Sequence, residues 1–87
     1  MKTVSKGDHV IFTDSRSRKC HALVTCVFGD VHCDEQGNVT SAPAINVVFV
    51  SNDNDREDSY GRQIERQTSA VHVASQPAHG NYWDWPE

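Results

Sequence analysis

Three apolar segments of the chain predict β-strands, whose successive side chains point to opposite faces. They are residues 9–13, 20–28 and 45–51, with the sequences HVIFT, CHALVTCVF and INVVFVS. The second and third segments carry apolar residues on both faces, so we expect residues 20–28 to form a long strand bent across the core and residues 45–51 to form a nearly central strand. The chain also has eleven Val and three Ile against a single Leu, a balance that favours strands over helices.

A more polar segment, residues 61–73 with the sequence GRQIERQTSAVHV, predicts two further strands with a bend at Thr68 and Ser69. Only a thin apolar stripe runs along residues 62–67. We therefore expect this part of the chain to lie at an edge of the sheet and to pair with a partner.

Polar segments separate these strands, and the one at residues 30–44 is longer than most connections. It forms either a hairpin of its own around Gly37 or a functional loop. Five strands at this spacing predict an all-β fold, a small SH3-like five-stranded barrel with a long polar loop and an aromatic C-terminal tail. An OB-like barrel is the alternative.

A chain of 87 residues allows one modest core. We assign this core to a barrel over residues 1–73, followed by a C-terminal arm over residues 74–87. Three of the seven aromatic residues lie in that arm, at Tyr82, Trp83 and Trp85. They either pack over an end of this barrel or anchor a neighbouring protein, since Trp and Tyr dominate interface hot spots.

The net charge of −4 gives no basic excess with which to release counterions from phosphates. Acidic residues are also interleaved with the basic residues around the fourth predicted strand, so we do not expect nucleic-acid binding. No apolar run is long enough to span a membrane and no secretory signal precedes the first strand, so the cytoplasm is the default location.

The side chains that could carry chemistry do not form a recognisable site. Three cysteines are an odd number in a chain without a signal, which favours reduced thiols over a disulfide framework, with an intermolecular bridge as the alternative. Adjacent Cys and His residues on a strand point to opposite faces, which argues against a shared zinc ion. The potential ligands are Cys20, His21, Cys26, His32 and Cys33.

An acidic loop at residues 53–58 lacks the glycine and the bidentate glutamate that a calcium-binding loop requires. No nucleophile and base are spaced as a catalytic pair, and no glycine-rich phosphate loop is present. We therefore expect no enzyme activity, no catalytic residue, no metal and no cofactor.

The C-terminal half carries a resemblance, in the segments YGRQIER at residues 60–66 and AHGNYW at residues 78–83. Together with GDHV at residues 7–10 and the strand at residues 45–51, they resemble small uncharacterised proteins of tailed bacteriophages and prophages. The resemblance transfers no catalytic residue. It implies a context, because small barrels in such genomes serve as virion accessory proteins that decorate or cement capsid or neck subunits.

We therefore expect a noncatalytic structural or interaction protein, a capsid decoration or cement protein located in the virion. Its partners would be phage capsid or neck subunits and copies of itself. The alternative is a small intracellular adaptor or nucleic-acid-binding regulator of phage origin, located in the cytoplasm. The residues expected to contact a partner are Arg62, Arg66, Tyr82, Trp83 and Trp85.

Overall fold

The structure is a computed structural model, which describes residues 3–51, 53, 55–73 and 80–86. These residues form an all-β protein whose described part contains no α-helix. No helix long and apolar enough to cross a membrane occurs in these ranges. The strands are β1 (His9–Thr13), β2 (Lys19–Val27), β3 (His32–Cys33), β4 (Val39–Ser41), β5 (Ile45–Val50), β6 (Glu57–Asp58), β7 (Gly61–Arg62), β8 (Ile64–His72) and β9 (Tyr82–Asp84).

Five strands close into a barrel in the order β1-β2-β5-β8-β9. Neighbouring strands are antiparallel except β8 and β9, which are parallel. The prediction of a small all-β barrel with five strands is confirmed. The barrel strands follow one another in chain order, as in an SH3-like meander and unlike the Greek-key order of an OB-fold.

The first three barrel strands lie where the alternation of apolar residues predicts them. β1 has the predicted bounds, β2 is displaced by one residue, and β5 ends one residue earlier than predicted. Their inward side chains form the core together with Ala70 and Trp83. The buried apolar residues are Val10, Phe12, Ala22, Val24, Ile45, Val47, Ala70 and Trp83.

The predicted pair of strands within residues 61–73 is wrong, because residues 64–72 form the single strand β8. At the expected bend, Thr68 and Ser69 together lie opposite one residue of β5, Asn46, which is a β-bulge. Ser69 has a φ of 54° and donates its backbone N–H to the Asn46 side-chain oxygen at 2.9 Å. The extra residue is thus accommodated by a bulge within the strand and not by a turn between two strands.

The fifth barrel strand is β9, which lies between β1 and β8. This corrects the predicted division of the chain at residue 73, because residues 82–84 belong to the barrel and not to an arm outside it. Trp83 is fully buried and donates its indole N–H to the Pro43 carbonyl oxygen at 3.1 Å. A strand of three residues is too short to show a period in the sequence, and β1, one of its two pairing partners, is remote in the chain.

Two hairpins extend from opposite ends of the barrel. Residues 30–44 contain the hairpin of β3 and β4, which confirms the first of the two alternatives for this segment. The β3–β4 hairpin precedes β5 in the chain and the β6–β7 hairpin follows it, so the two hairpins lie at opposite ends of this strand. The molecule accordingly measures 51 × 26 × 22 Å along its principal axes.

Candidate protein-interaction surface

An apolar patch lies on the outside of the barrel, across β2, β5 and β8. Leu23 is 51% exposed, Val50 is 52% exposed and Ile64 is 62% exposed. Leu23 pairs with Val48, and Val50 pairs with Ile64, so these four side chains are neighbours on adjacent strands. They line an open depression of about 200 Å³. We call Leu23, Val48, Val50 and Ile64 the outer apolar face.

The outer apolar face follows from strands that are apolar on both sides. In β2 the inward residues are Ala22 and Val24, and in β5 the inward residue next to Val48 is Val47. The alternation of a strand then places Leu23 and Val48 outside the barrel. The same pattern predicts a long strand bent across the core for residues 20–28 and a nearly central strand for residues 45–51, but no second layer covers this face in the described part of the chain. A contiguous exposed apolar patch is characteristic of a binding surface.

Two histidines border the outer apolar face on the β1 side. His9 Nε2 lies 2.7 Å from His21 Nδ1, and the two ring centroids are 4.9 Å apart. Both residues are exposed and both line the same depression as Leu23. On its β1 side the outer apolar face is therefore bordered by two paired imidazole rings.

Arg66 borders the face on the β8 side. It is exposed and pairs across the sheet with Val48. Arg66 forms no ion pair within the described residues, whereas the neighbouring Glu65 is bonded to Arg56 at 3.0 Å. The guanidinium of Arg66 is therefore available to an acidic group of a partner.

Arg62 is placed differently, in the β6–β7 hairpin. Its Nε lies 3.9 Å from the Glu57 carboxylate, and its Nη1 donates to the Asp53 carbonyl oxygen at 3.3 Å. These contacts hold the hairpin together. At its tip, Tyr60 is 97% exposed, an aromatic residue that the sequence pattern does not single out.

The first half of β8 has an open edge. Residues 64–67 pair with β5 on one side, and β9 pairs only with Val71 and His72 on the other. Over the described residues, no strand lies along the second side of residues 64–67. Their outward backbone N–H and C=O groups can therefore accept an added strand. This agrees with the edge position that the thin apolar stripe predicts.

The aromatic residues of the predicted partner site lie elsewhere. Trp83 is wrong as a partner contact, because it is fully buried in the core. Trp85 packs against Trp83 and His72 with both centroid distances at 4.9 Å, and its indole N–H donates to the Thr3 carbonyl oxygen at 2.8 Å. Tyr82 is half-buried on β9. The structure therefore separates these three residues from Arg66, which pairs with β5, and from Arg62, which lies in the β6–β7 hairpin.

A second depression of about 410 Å³ lies between β1, β2 and β9. Its lining is mixed, with Ile11 and Trp85 beside Lys19, His21 and Asp84. His21 therefore lies between this depression and the outer apolar face. The polar residues that line the second depression make it less suited to apolar contact than the outer apolar face.

The cysteines do not assemble a metal centre in the described ranges. Cys26 and Cys33 are free thiols, and all three cysteines, Cys20 included, are half-buried. No group of three or more His, Cys, Asp or Glu residues that could hold an ion occurs in this part of the chain. Cys20 instead donates its thiol to the Phe12 carbonyl oxygen, with the sulfur 3.6 Å away.

The chain matches no protein-family model, no curated protein and no solved structure.

Proposed function

We propose that this protein is a noncatalytic interaction module that binds an extended segment of another protein chain. The observation that carries the proposal is the outer apolar face, whose Leu23, Val50 and Ile64 are each more than half exposed. Keeping such a patch in water is unfavourable by roughly 25 cal/mol per Å² of apolar surface. A partner that covers it gains this free energy.

The kind of partner follows from the position of the face beside the open edge of β8. A standard interface buries about 800 Å² on each partner with 20–30 residues a side. Four side chains supply much less, so the rest of the affinity must come from another source. A strand added along residues 64–67 forms main-chain hydrogen bonds there and places alternate side chains next to Ile64.

Charge gives the added strand a preference. Arg66 lies beside the same edge and forms no ion pair within the described residues. An acidic side chain on the partner strand, next to apolar ones, is therefore favoured at this point. The exposed position of Arg66 makes its contribution to specificity larger than its contribution to affinity.

The resemblance to small phage and prophage proteins supports a specific setting for this module. In that setting the protein is a virion accessory that decorates or cements the particle. The partner strand then belongs to a capsid or neck subunit. Copies of the protein itself bind one another only where they present such a strand. If it acts instead as an intracellular adaptor, the same surface binds a host or phage protein in the cytoplasm.

Binding of the purified protein to the coat and neck subunits of the phage or prophage that encodes it tests the proposal, measured by isothermal titration calorimetry. We expect Ile64→Lys to weaken binding at least tenfold, because it places a charge in the outer apolar face. Ile64 is 62% exposed, so the melting temperature should change little. Ser41→Lys, on an exposed position of β4 in the other hairpin, is the matched control and should leave binding unchanged.

Equal binding by the Ile64→Lys variant and the unmodified protein would contradict the proposed surface. Mass spectrometry of purified virions then separates the two settings. A protein present at a fixed ratio to the coat subunit supports the virion accessory. A protein abundant in infected cells but missing from particles supports the intracellular adaptor.

A further inference from the structure

His9 and His21 are held next to each other by the register of β1 and β2. His9 pairs with Leu23, and Ile11 pairs with His21, so the two histidines are diagonal neighbours on the outside of the barrel. Their rings are tilted by 33° and their facing nitrogen atoms are 2.7 Å apart. Both residues are exposed, so the pair lies at the solvent-facing surface of the barrel.

When both rings are neutral, one hydrogen atom lies between the two facing nitrogen atoms. One of the facing nitrogen atoms, His9 Nε2 or His21 Nδ1, donates it and the other accepts it. If the donor ring moves this proton to its second nitrogen atom, both facing nitrogen atoms present a lone pair. His9 then keeps its hydrogen on Nδ1 and His21 keeps its hydrogen on Nε2, and neither ring changes charge.

We propose that His9 and His21 together bind one divalent transition-metal ion of the class Zn²⁺, Ni²⁺ or Cu²⁺. Imidazole nitrogen suits these ions, whereas Mg²⁺ and Ca²⁺ prefer oxygen ligands. Metal–nitrogen bonds of about 2.0–2.1 Å place two nitrogen ligands of one ion roughly 3 Å apart. The observed separation of 2.7 Å therefore needs to open by a few tenths of an ångström. Because the two nitrogen atoms point at each other, with ring centroids 4.9 Å apart, each ring must also rotate so that both lone pairs converge on the ion, and the two side chains are exposed.

The remaining coordination positions would hold water, since no third protein ligand completes a group in the described part of the chain. The two ligands are on adjacent strands of a closed barrel, so metal binding costs little backbone conformational entropy. The two rings border the outer apolar face and line the same depression as Leu23, but binding of the metal ion alone can be measured without a protein partner.

Calorimetric titration of the untagged, full-length protein with NiCl₂ tests the site. We expect one ion per chain, with binding weakened at least tenfold in both His9→Gln and His21→Gln. His32→Gln is the matched control, because His32 is exposed on β3 and lies at a different place in the fold. That variant should bind within twofold of the unmodified protein, and MgCl₂ should produce no binding.

The cysteine thiols are the competing ligands, and the same variants distinguish them from the histidine pair. Full binding in both His9→Gln and His21→Gln, or no binding by the unmodified protein, would overturn the proposal. Nitrogen-15 NMR gives a second readout, since paramagnetic Ni²⁺ should broaden the amide signals of residues 9 and 21–23 first. Broadening centred on Cys26 or Cys33 instead would also overturn it.

Discussion

Asp14 shows how one side chain holds the turn between β1 and β2. Its Oδ1 accepts the backbone N–H groups of Arg16 and Arg18, each at 2.9 Å, and its Oδ2 accepts Arg18 Nε at 3.0 Å. Burial by itself would raise the pKa of Asp14. Four contributions outweigh burial and lower this pKa below its ordinary value. They are the backbone hydrogen bonds from Arg18 and Arg16, the hydrogen bond from the Arg18 guanidinium and the charge of that guanidinium.

We expect Asp14→Ala to lower the free energy of unfolding by about 1–2 kcal/mol, because two backbone donors and a guanidinium lose an ionised acceptor. Asp14→Asn is the matched control, since its amide oxygen can still accept the two backbone N–H groups. Urea denaturation of the three proteins measures the difference. Equal stability of the alanine variant and the unmodified protein would show that the turn does not depend on Asp14.

The lowered pKa also gives the stabilisation by Asp14 a pH dependence. It is fully present above the ordinary aspartate pKa of about 4 and is lost as the pH falls through the lower pKa of the folded protein. The advantage of the unmodified protein over Asp14→Asn should therefore shrink in that acidic range. An advantage that stays constant between neutral pH and strong acid would contradict this assignment.

At the scale of elements, β9 has the largest effect for its length. It contributes the fully buried Trp83 and pairs with both β1 and β8. Its entry requires close contact of the backbone, because a Cβ atom at Gly80 would overlap the carbonyl group of Asp14. Asn81 then donates its N–H to the Thr13 carbonyl oxygen at 2.6 Å, which aligns β9 with β1.

We expect Trp83→Ala to lower the free energy of unfolding by about 3–5 kcal/mol, because it leaves a large cavity in the barrel. Trp83→Phe should lower the free energy of unfolding by less, because it retains an aromatic ring, although it loses the hydrogen bond to Pro43. Urea denaturation followed by circular dichroism measures both variants. A Trp83→Ala variant as stable as the unmodified protein would mean that β9 does not close the barrel.

The elements differ in how far the sequence predicts them, for physical reasons. β1 and β5 are predicted well because their alternation of inward and outward residues is local. The bulge at Thr68 and Ser69 looks like a bend in sequence, since both interrupt the period of two. Only the pairing with Asn46 distinguishes them, and that pairing is a tertiary contact.

The candidate site divides in the same way. Arg66 and the edge position of residues 62–67 follow from a thin apolar stripe, which is a local signal. The outer apolar face cannot be predicted from a local signal, because a strand that is apolar on both sides fits a strand covered by a second layer as well as one with an exposed face. The structure decides this point for Leu23 and Val50 through their exposure.

At the scale of the whole molecule, the two hairpins make a small barrel into an elongated particle, 51 Å long and 26 × 22 Å across. The β6–β7 hairpin carries several acidic residues and the exposed Tyr60 at its tip. It makes no contribution to the buried core, whose members all lie on β1, β2, β5, β8 and β9.

We therefore expect the barrel to remain folded when residues 51–63 are replaced by Asn-Gly, a two-residue turn suited to joining Val50 and Ile64. The maximum dimension measured by small-angle X-ray scattering should decrease, and near-ultraviolet circular dichroism should retain the signal of a packed core. An unchanged maximum dimension would contradict the projecting hairpin. Loss of the core signal would show that the hairpin is part of the cooperative folding unit.

The pairing of β9 with β1 has a consequence for the kinetics of folding. Each of the other neighbouring barrel strands can pair through the segment that directly connects them, whereas Tyr82 must reach Thr13 across most of the chain. Closing so large a loop costs entropy before Trp83 is buried, so we expect β9 to dock last. Until then both β1 and β8 present free edges, and association between molecules competes with closure. The yield of refolded protein should therefore fall as the protein concentration rises, because association competes with the docking of β9.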